Sequence, residues 1–278
     1  HRAHKSVFGG SALYSDGTGD TIRVSGNTLD FAFGTAPFTI EFWINPDSNA
    51  DENGNILGSF KAGGGGWGVR WSQGGNNDFN FENVNSDASD TTWPNIDRSL
   101  FCTIGQWSHQ AIVKEGAGNI KWYSDGVVIS HYTGSHYDTM YDAGTKGSAY
   151  PLNIFGYYDD NSAGNLVAVP MALDEIRISK GIARYTPSIE RYANTFVAKG
   201  DTGDAFTVLQ IQSNGAKSGT GYSDGLNRTG FNTSAVTVTG SPTWVTTAGE
   251  SFGGANTALF FDGASDLSYA DHADLDLG

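Results

Sequence analysis

The segment Phe38-Thr39-Ile40-Glu41-Phe42-Trp43-Ile44 places an apolar side chain at every second position. That period of two fits a strand with one buried face and excludes a helix. Asn45-Pro46-Asp47-Ser48 then breaks the strand. The same grammar recurs along the chain. Trp107 to Val113 forms a second strand, and the turn Lys114 to Asn119 leads into Ile120-Lys121-Trp122-Tyr123. Ser124-Asp125-Gly126 closes that strand before Val127-Val128-Ile129, which makes a meander of antiparallel hairpins. Leu173-Asp174-Glu175-Ile176-Arg177-Ile178 alternates imperfectly, so one of its acids is expected to have a local partner.

Composition agrees with many short strands. The chain has 38 Gly, 13% aromatic residues and 17% charged residues, which suits tight turns around an aromatic core. Runs of Ala, Leu, Glu and Lys long enough for amphipathic helices are absent. A formal net charge of −14 with no basic stripe would repel a polyanion, so nucleic acid is not expected as a partner. No apolar stretch approaches the ~20 residues of a membrane span. The single cysteine, Cys102, allows no internal disulfide and reads as a buried thiol beside Phe101 and Ile104. The chain starts at His1 rather than Met, which reads as a processed or excised piece.

Four features follow one another in a familiar order: Phe8-Gly9-Gly10 with Ala12 to Gly17; Phe38 to Ile44; Trp107 to Val113 with Trp122 to Gly126; and Leu173 to Ile178 followed by Ser179 to Tyr185. In this order they resemble the laminin-G-like jelly rolls of the concanavalin A-like lectin/glucanase superfamily, over roughly residues 5–190. The resemblance implies an all-β, antiparallel jelly-roll β-sandwich. The stretch from Asp174 to Tyr185 is similar to copies in bacteriophage, notably marine phage, tail and virion structural proteins, which implies an extracellular or virion-surface setting.

The C-terminal part restates the beginning. Ser251 to Gly254 and Ala258 to Gly263 repeat Val7 to Gly17, and Asp274 to Gly278 repeats Asp30 to Gly34, with an offset of 244 at both ends. The expected division is therefore a jelly roll at 1–195 lacking its first strand, a linker at 196–202, and the opening of a second repeat at 203–278. Ala205 to Ile211 is the kind of strand that opens such a domain. Truncation of a tandem array explains this layout; completion of a sandwich by strand addition is the sharper alternative.

Candidate chemistry is sparse. The superfamily's hydrolases carry Glu-x-Asp-x-x-Glu on one strand, and none of the seven glutamates here has Asp two positions later. Gly221-Tyr222-Ser223-Asp224-Gly225 has the spacing of a nucleophile elbow but loop-like flanks. The expectation is a non-enzyme. The resemblance implies a structural calcium ion held by Asp16 and Asp174, with nearby carbonyls completing an oxygen shell. For ligand binding, the loop-rich regions supply Trp67, Trp71 and Trp93, and then Tyr157, Tyr158 and Asp159, as aromatic faces and hydroxyl partners for a glycan. Trp43, Trp107 and Trp122 sit in strand patterns and read as core. The expected function is a surface-attachment or structural module of a virion fibre or appendage. Its partners would be a host-surface glycan or neighbouring subunits, within a larger homo-oligomer or repeat array. A polysaccharide-cleaving enzyme and a purely architectural repeat are the alternatives.

Overall fold

A computed structural model describes residues 12–17, 21–24, 28–47, 54–61, 65–72, 78–84, 90–97, 102–140, 152–156, 169–185, 205–211, 217–218, 221–222, 236–239, 243–246, 257–260 and 266–269. In chain order the strands are β1 (Leu13–Ser15), β2 (Thr21–Val24), β3 (Phe38–Pro46), β4 (Gly54–Lys61), β5 (Gly65–Ser72), β6 (Asp78–Val84) and β7 (Asp90–Asp97). There follow β8 (Ser108–Gly116), β9 (Asn119–Ser124), β10 (Val127–Thr133), β11 (Leu152–Ile154), β12 (Met171–Lys180) and β13 (Thr207–Ile211). The last are β14 (Lys217–Ser218), β15 (Gly221–Tyr222), β16 (Val236–Thr239), β17 (Thr243–Thr246), β18 (Thr257–Phe260) and β19 (Asp266–Tyr269).

The fold is all-β. One sheet runs β10-β9-β8-β3-β12-β1-β18-β17, with β13 added to β12; the other runs β16-β19-β2-β11-β4-β5-β6-β7. Within the first sandwich every pairing is antiparallel. Of the C-terminal strands, β18 and β19 lie parallel to β1 and β2.

Alternation explains the core. On β3, Phe38, Ile40, Phe42 and Ile44 are fully buried between the sheets. They face Trp67, Val69 and Trp71 of β5 and Phe79 and Phe81 of β6, and Trp122 of β9 joins them from their own sheet, all in one continuous cluster. Trp71 meets Phe79 edge-on at 5.4 Å, and Phe79 lies 5.4 Å from Trp122. Each such ring contributes about 1.5–3 kcal/mol by leaving water. Two buried polar groups are tied in: Trp67 Nε1 donates to Phe31 O at 2.8 Å, and Trp122 Nε1 donates to Gln110 Oε1 at 3.0 Å. Lys114 also turns inward. Burial lowers its pKa, and its ammonium donates to the carbonyls of Thr35 (2.8 Å), Ala36 (3.4 Å) and Asp138 (3.0 Å). Cys102 is buried as expected, whereas Ile104 is exposed.

The imperfect alternation near Asp174 is a β-bulge. Asp174 pairs with Trp43, but the next partners are Arg177 and Glu41, so β12 carries one residue more than β3 over this stretch. Glu175 absorbs the extra residue at φ 48°, and its N–H donates to Asp174 Oδ1 at 2.9 Å. The bulge returns Ile176 and Ile178 to the core with Leu173, and leaves Asp174 and Arg177 on the outer face beside Trp43 and Glu41. At the β9–β10 turn, Asp125 and Gly126 both have positive φ, 47° and 80°, which matches the twist a two-residue hairpin needs.

Candidate functional site

The outer face of β12, β3 and β8 divides into a closed half and an open half. Residues 181–185 turn back after β12 and cover the closed half. Thr39 Oγ1 donates to Ile182 O at 3.2 Å and accepts from Arg184 N at 3.0 Å, while Arg184 Nε donates to Ser179 Oγ at 2.7 Å. Tyr185 seals this cover against Ala111, Val113 and Tyr123, and its carbonyl accepts from Tyr123 OH at 3.3 Å. Beneath it lies Glu41, fully buried, accepting from both the Arg177 guanidinium and the Tyr185 hydroxyl. Burial pushes the Glu41 carboxyl up. His109 Nε2 at 3.6 Å and the Arg177 charge more than offset this, and hold it below the ordinary carboxylate value. A carboxylate buried and paired this way is a structural anchor, closed to a substrate.

Two residues along β3 the cover ends. Trp43 is only half-buried, across from His109 on one side and Asp174 on the other. Its ring lies 5.5 Å from the His109 ring at 48°. Next come Asn45, paired with Ala172, and Tyr14 on the far side of Ala172. Tyr14 is half-buried, and its hydroxyl donates to Asp47 Oδ2 at 2.8 Å. Continuing the register of Ser108 with Ile44 by one residue sets half-buried Trp107 across from Asn45. Asn45 Oδ1 is buried and has no hydrogen-bond partner among the described residues. Three partly exposed aromatic residues and the partly exposed Asp47 therefore stand side by side, over a floor of buried Asn45, His109 and Asp174. From β1 to β8 the platform spans three interstrand spacings, about 14 Å. Ring faces suit the C–H surfaces of a sugar, and the Asp47 carboxylate suits its hydroxyls.

The residues expected from sequence fall elsewhere. Trp67 and Trp71 are core residues with 0% exposure, not loop aromatics. Gly65–Ser72 is a strand, whose i and i+4 positions share one face, and here that face turns both rings inward with Val69. Trp93 lies in β7, across from Phe81, rather than in a polar loop. Tyr157, Tyr158 and Asp159 lie outside the described residues. Asp16 and Asp174 do not fit one calcium ion. Ser15 pairs with Met171, so Asp16 stands opposite Pro170, four residues from Asp174 along β12. That is about 13 Å of strand, beyond the reach of a shared cation. Among the described residues, no group of three His, Cys, Asp or Glu side chains is placed to hold a metal.

Sequence reasoning missed Trp43, Trp107 and Tyr14. The signal was present: alternation that buries Phe42 and Ile44 puts Trp43 on the face of Glu41. Asp47 and Asp174 also do not form a hydrolytic pair. Asp47 N donates to Pro170 O, which leaves Asp47 about 13 Å along the strands from Asp174. Retaining and inverting glycosidases need roughly 5–5.5 Å or 6.5–9.5 Å. On the other sheet, Glu82 is paired with Arg70.

A family model described as the concanavalin A-like lectin/glucanases superfamily, of laminin-G type, matches residues 16–181, more than half of the chain. The chain belongs to this superfamily. The matched span, from Asp16 to Gly181, includes Glu41, Trp43, Trp107, His109 and Asp174, while Tyr14 and residues 182–185 of the cover lie just outside it. None of the curated proteins compared with the chain matches it. Among solved structures, a candidate carbohydrate-binding protein from Bacteroides ovatus is similar at 18% identity and TM-score 0.45, over 76% of this chain and 50% of that one. Domains LG4-5 of the mouse laminin alpha1 chain are similar at 16% identity and TM-score 0.42, over 65% and 44%. The binding domain of botulinum neurotoxin serotype D is similar at 16% identity and TM-score 0.40, over 57% and 36%. The likeness thus spans half or less of each of those chains. No helix among the described residues is long and apolar enough to cross a membrane.

Proposed function

We propose that this chain is a non-catalytic glycan-binding module, and that its binding surface is the open half of the β12–β3–β8 face. The observation that carries the reading is the contrast on β3: Glu41 is sealed and ion-paired, while Trp43, two residues on, is partly exposed between His109 and Asp174. Partly exposed aromatic residues with a carboxylate at their edge, Asp47, bind a sugar without needing an acid–base pair. The module serves attachment, as a repeat on an extracellular or virion appendage that contacts a host-surface glycan or neighbouring subunits. This setting rests on the sequence resemblance of the stretch from Asp174 to Tyr185.

The test is a glycan-array screen of the intact chain, followed by incubation with each bound glycan and measurement of released reducing ends. Binding without release is the expected result. Release of product would make the protein a polysaccharide-cleaving enzyme, and an array with no bound glycan would leave an architectural repeat.

A further inference from the structure

One edge of β12 is shared end to end by two strands. β1 pairs with Met171 to Leu173, and β13 pairs with Ile176 to Ser179; β3 holds the opposite edge. Among the described strands, β13 pairs with β12 alone. It nevertheless completes the sandwich, since Leu209 and Ile211 are buried in the same core cluster as Ile176 and Ile178. Its start is clasped as well: Lys180 N donates to Phe206 O at 2.9 Å.

By sequence, β13 belongs elsewhere. It lies beyond the superfamily match, which ends at 181, and ahead of the segment from Ser251 that restates residues 7–34. By packing it closes the preceding sandwich; by sequence it opens the following repeat. Nineteen residues, 186–204, separate Tyr185 from Ala205. A chain of that length reaches up to roughly 65 Å when extended, enough to deliver the strand to another molecule. Without β13, the edge of β12 from Ile176 to Ser179 presents free backbone groups above an apolar gap, a template that accepts a matching strand.

We infer that β13 is an exchangeable closing strand, and that the β12 edge accepts β13 of a second copy of this chain. The occupant is argued from the match already present: Leu209 and Ile211 fill this gap, and every copy carries both the slot and the strand. Exchange of an identical element between copies adds no new contact type, only a connection between molecules.

Ser179 and Thr207 are register partners, at the Cα spacing a disulfide tolerates. The native Cys102 is buried and does not compete. A double variant, Ser179→Cys with Thr207→Cys, is oxidised and its closure is read by non-reducing electrophoresis. Separately, a chain carrying only Ser179→Cys is mixed with one carrying only Thr207→Cys, warmed, cooled and oxidised at high concentration. The double variant is expected to close within one chain. The mixture is expected to give a disulfide-linked dimer containing one chain of each kind, several-fold above either variant alone. Closure of the double variant without dimer in the mixture overturns the exchange. Failure of the double variant to close overturns the β12–β13 pairing, and the inference with it. Neither outcome bears on glycan binding.

Discussion

The closed and open halves of the outer face share the same three strands and differ in one respect, the cover made by residues 181–185. Where the cover lies, polar groups are sealed into a network and Glu41 is held by Arg177 and Tyr185. Where it ends, aromatic residues at the same alternation keep part of their surface in solvent. Sealing a charge contributes order only if its partner is kept; leaving a ring half-open costs little and creates a place for a ligand. On the proposed function, one face of one sheet thus separates anchoring from recognition over two residues of β3.

Substitutions at matched positions sharpen that contrast. The largest losses of stability are expected in the core and in the closed half. Trp71→Ala removes a fully buried ring and should cost about 3–5 kcal/mol in denaturant unfolding. Glu41→Gln leaves the buried Arg177 charge uncompensated and should cost about as much, roughly 3–5 kcal/mol, while Tyr185→Phe, which removes one hydrogen bond to that carboxylate, should cost about 1.5–3 kcal/mol. If both closed-half variants melt like the parent, the network is ornamental and the two halves are alike.

Acid provides the next test. Unfolded Glu41 takes up a proton near its ordinary value of 4.5, and folded Glu41 resists it to a lower pH. Its contribution is therefore complete above about pH 4.5 and is lost as pH falls through the lower folded value. The stability gap between parent and Glu41→Gln should narrow below pH 4.5; a gap independent of pH from 7 to 3 would contradict the assignment. The smallest effect is expected at Asp16. Asp16→Asn should leave the difference in melting temperature between calcium and EDTA unchanged, since Asp16 and Asp174 do not share an ion. A calcium-dependent shift abolished by that variant would restore the metal site.

The strands were legible because alternation and turn chemistry are local. Phe38 to Ile44, Ile120 to Tyr123 and the Asp125-Gly126 turn all lie where the pattern put them. The uneven run at Asp174 even foretold its local bond, though not that a bulge at Glu175 would set Arg177 on Glu41. The candidate site was less legible, for a physical reason. Composition of a segment does not say which way a ring points, so Trp67 and Trp71, flanked by glycines and polar residues, read as loop aromatics although Gly65–Ser72 is a central strand. Conversely, Trp43 sits in an apolar strand and read as core, because its exposure depends on where the distant segment 181–185 stops covering the sheet. Such boundaries are set by tertiary packing and leave no mark within seven residues of sequence.

The most direct measurement is the affinity of parent and Trp43→Ala for the strongest glycan bound on an array, with thermal unfolding of both proteins recorded alongside. Trp43 is only partly exposed, so the variant should lose about 1.5–3 kcal/mol of stability and remain folded. Its affinity should fall at least about tenfold, as expected when a stacking ring is removed from a binding surface. Unchanged affinity in a folded Trp43→Ala protein would place the ligand elsewhere and contradict the division of this face into an anchor and a binding platform.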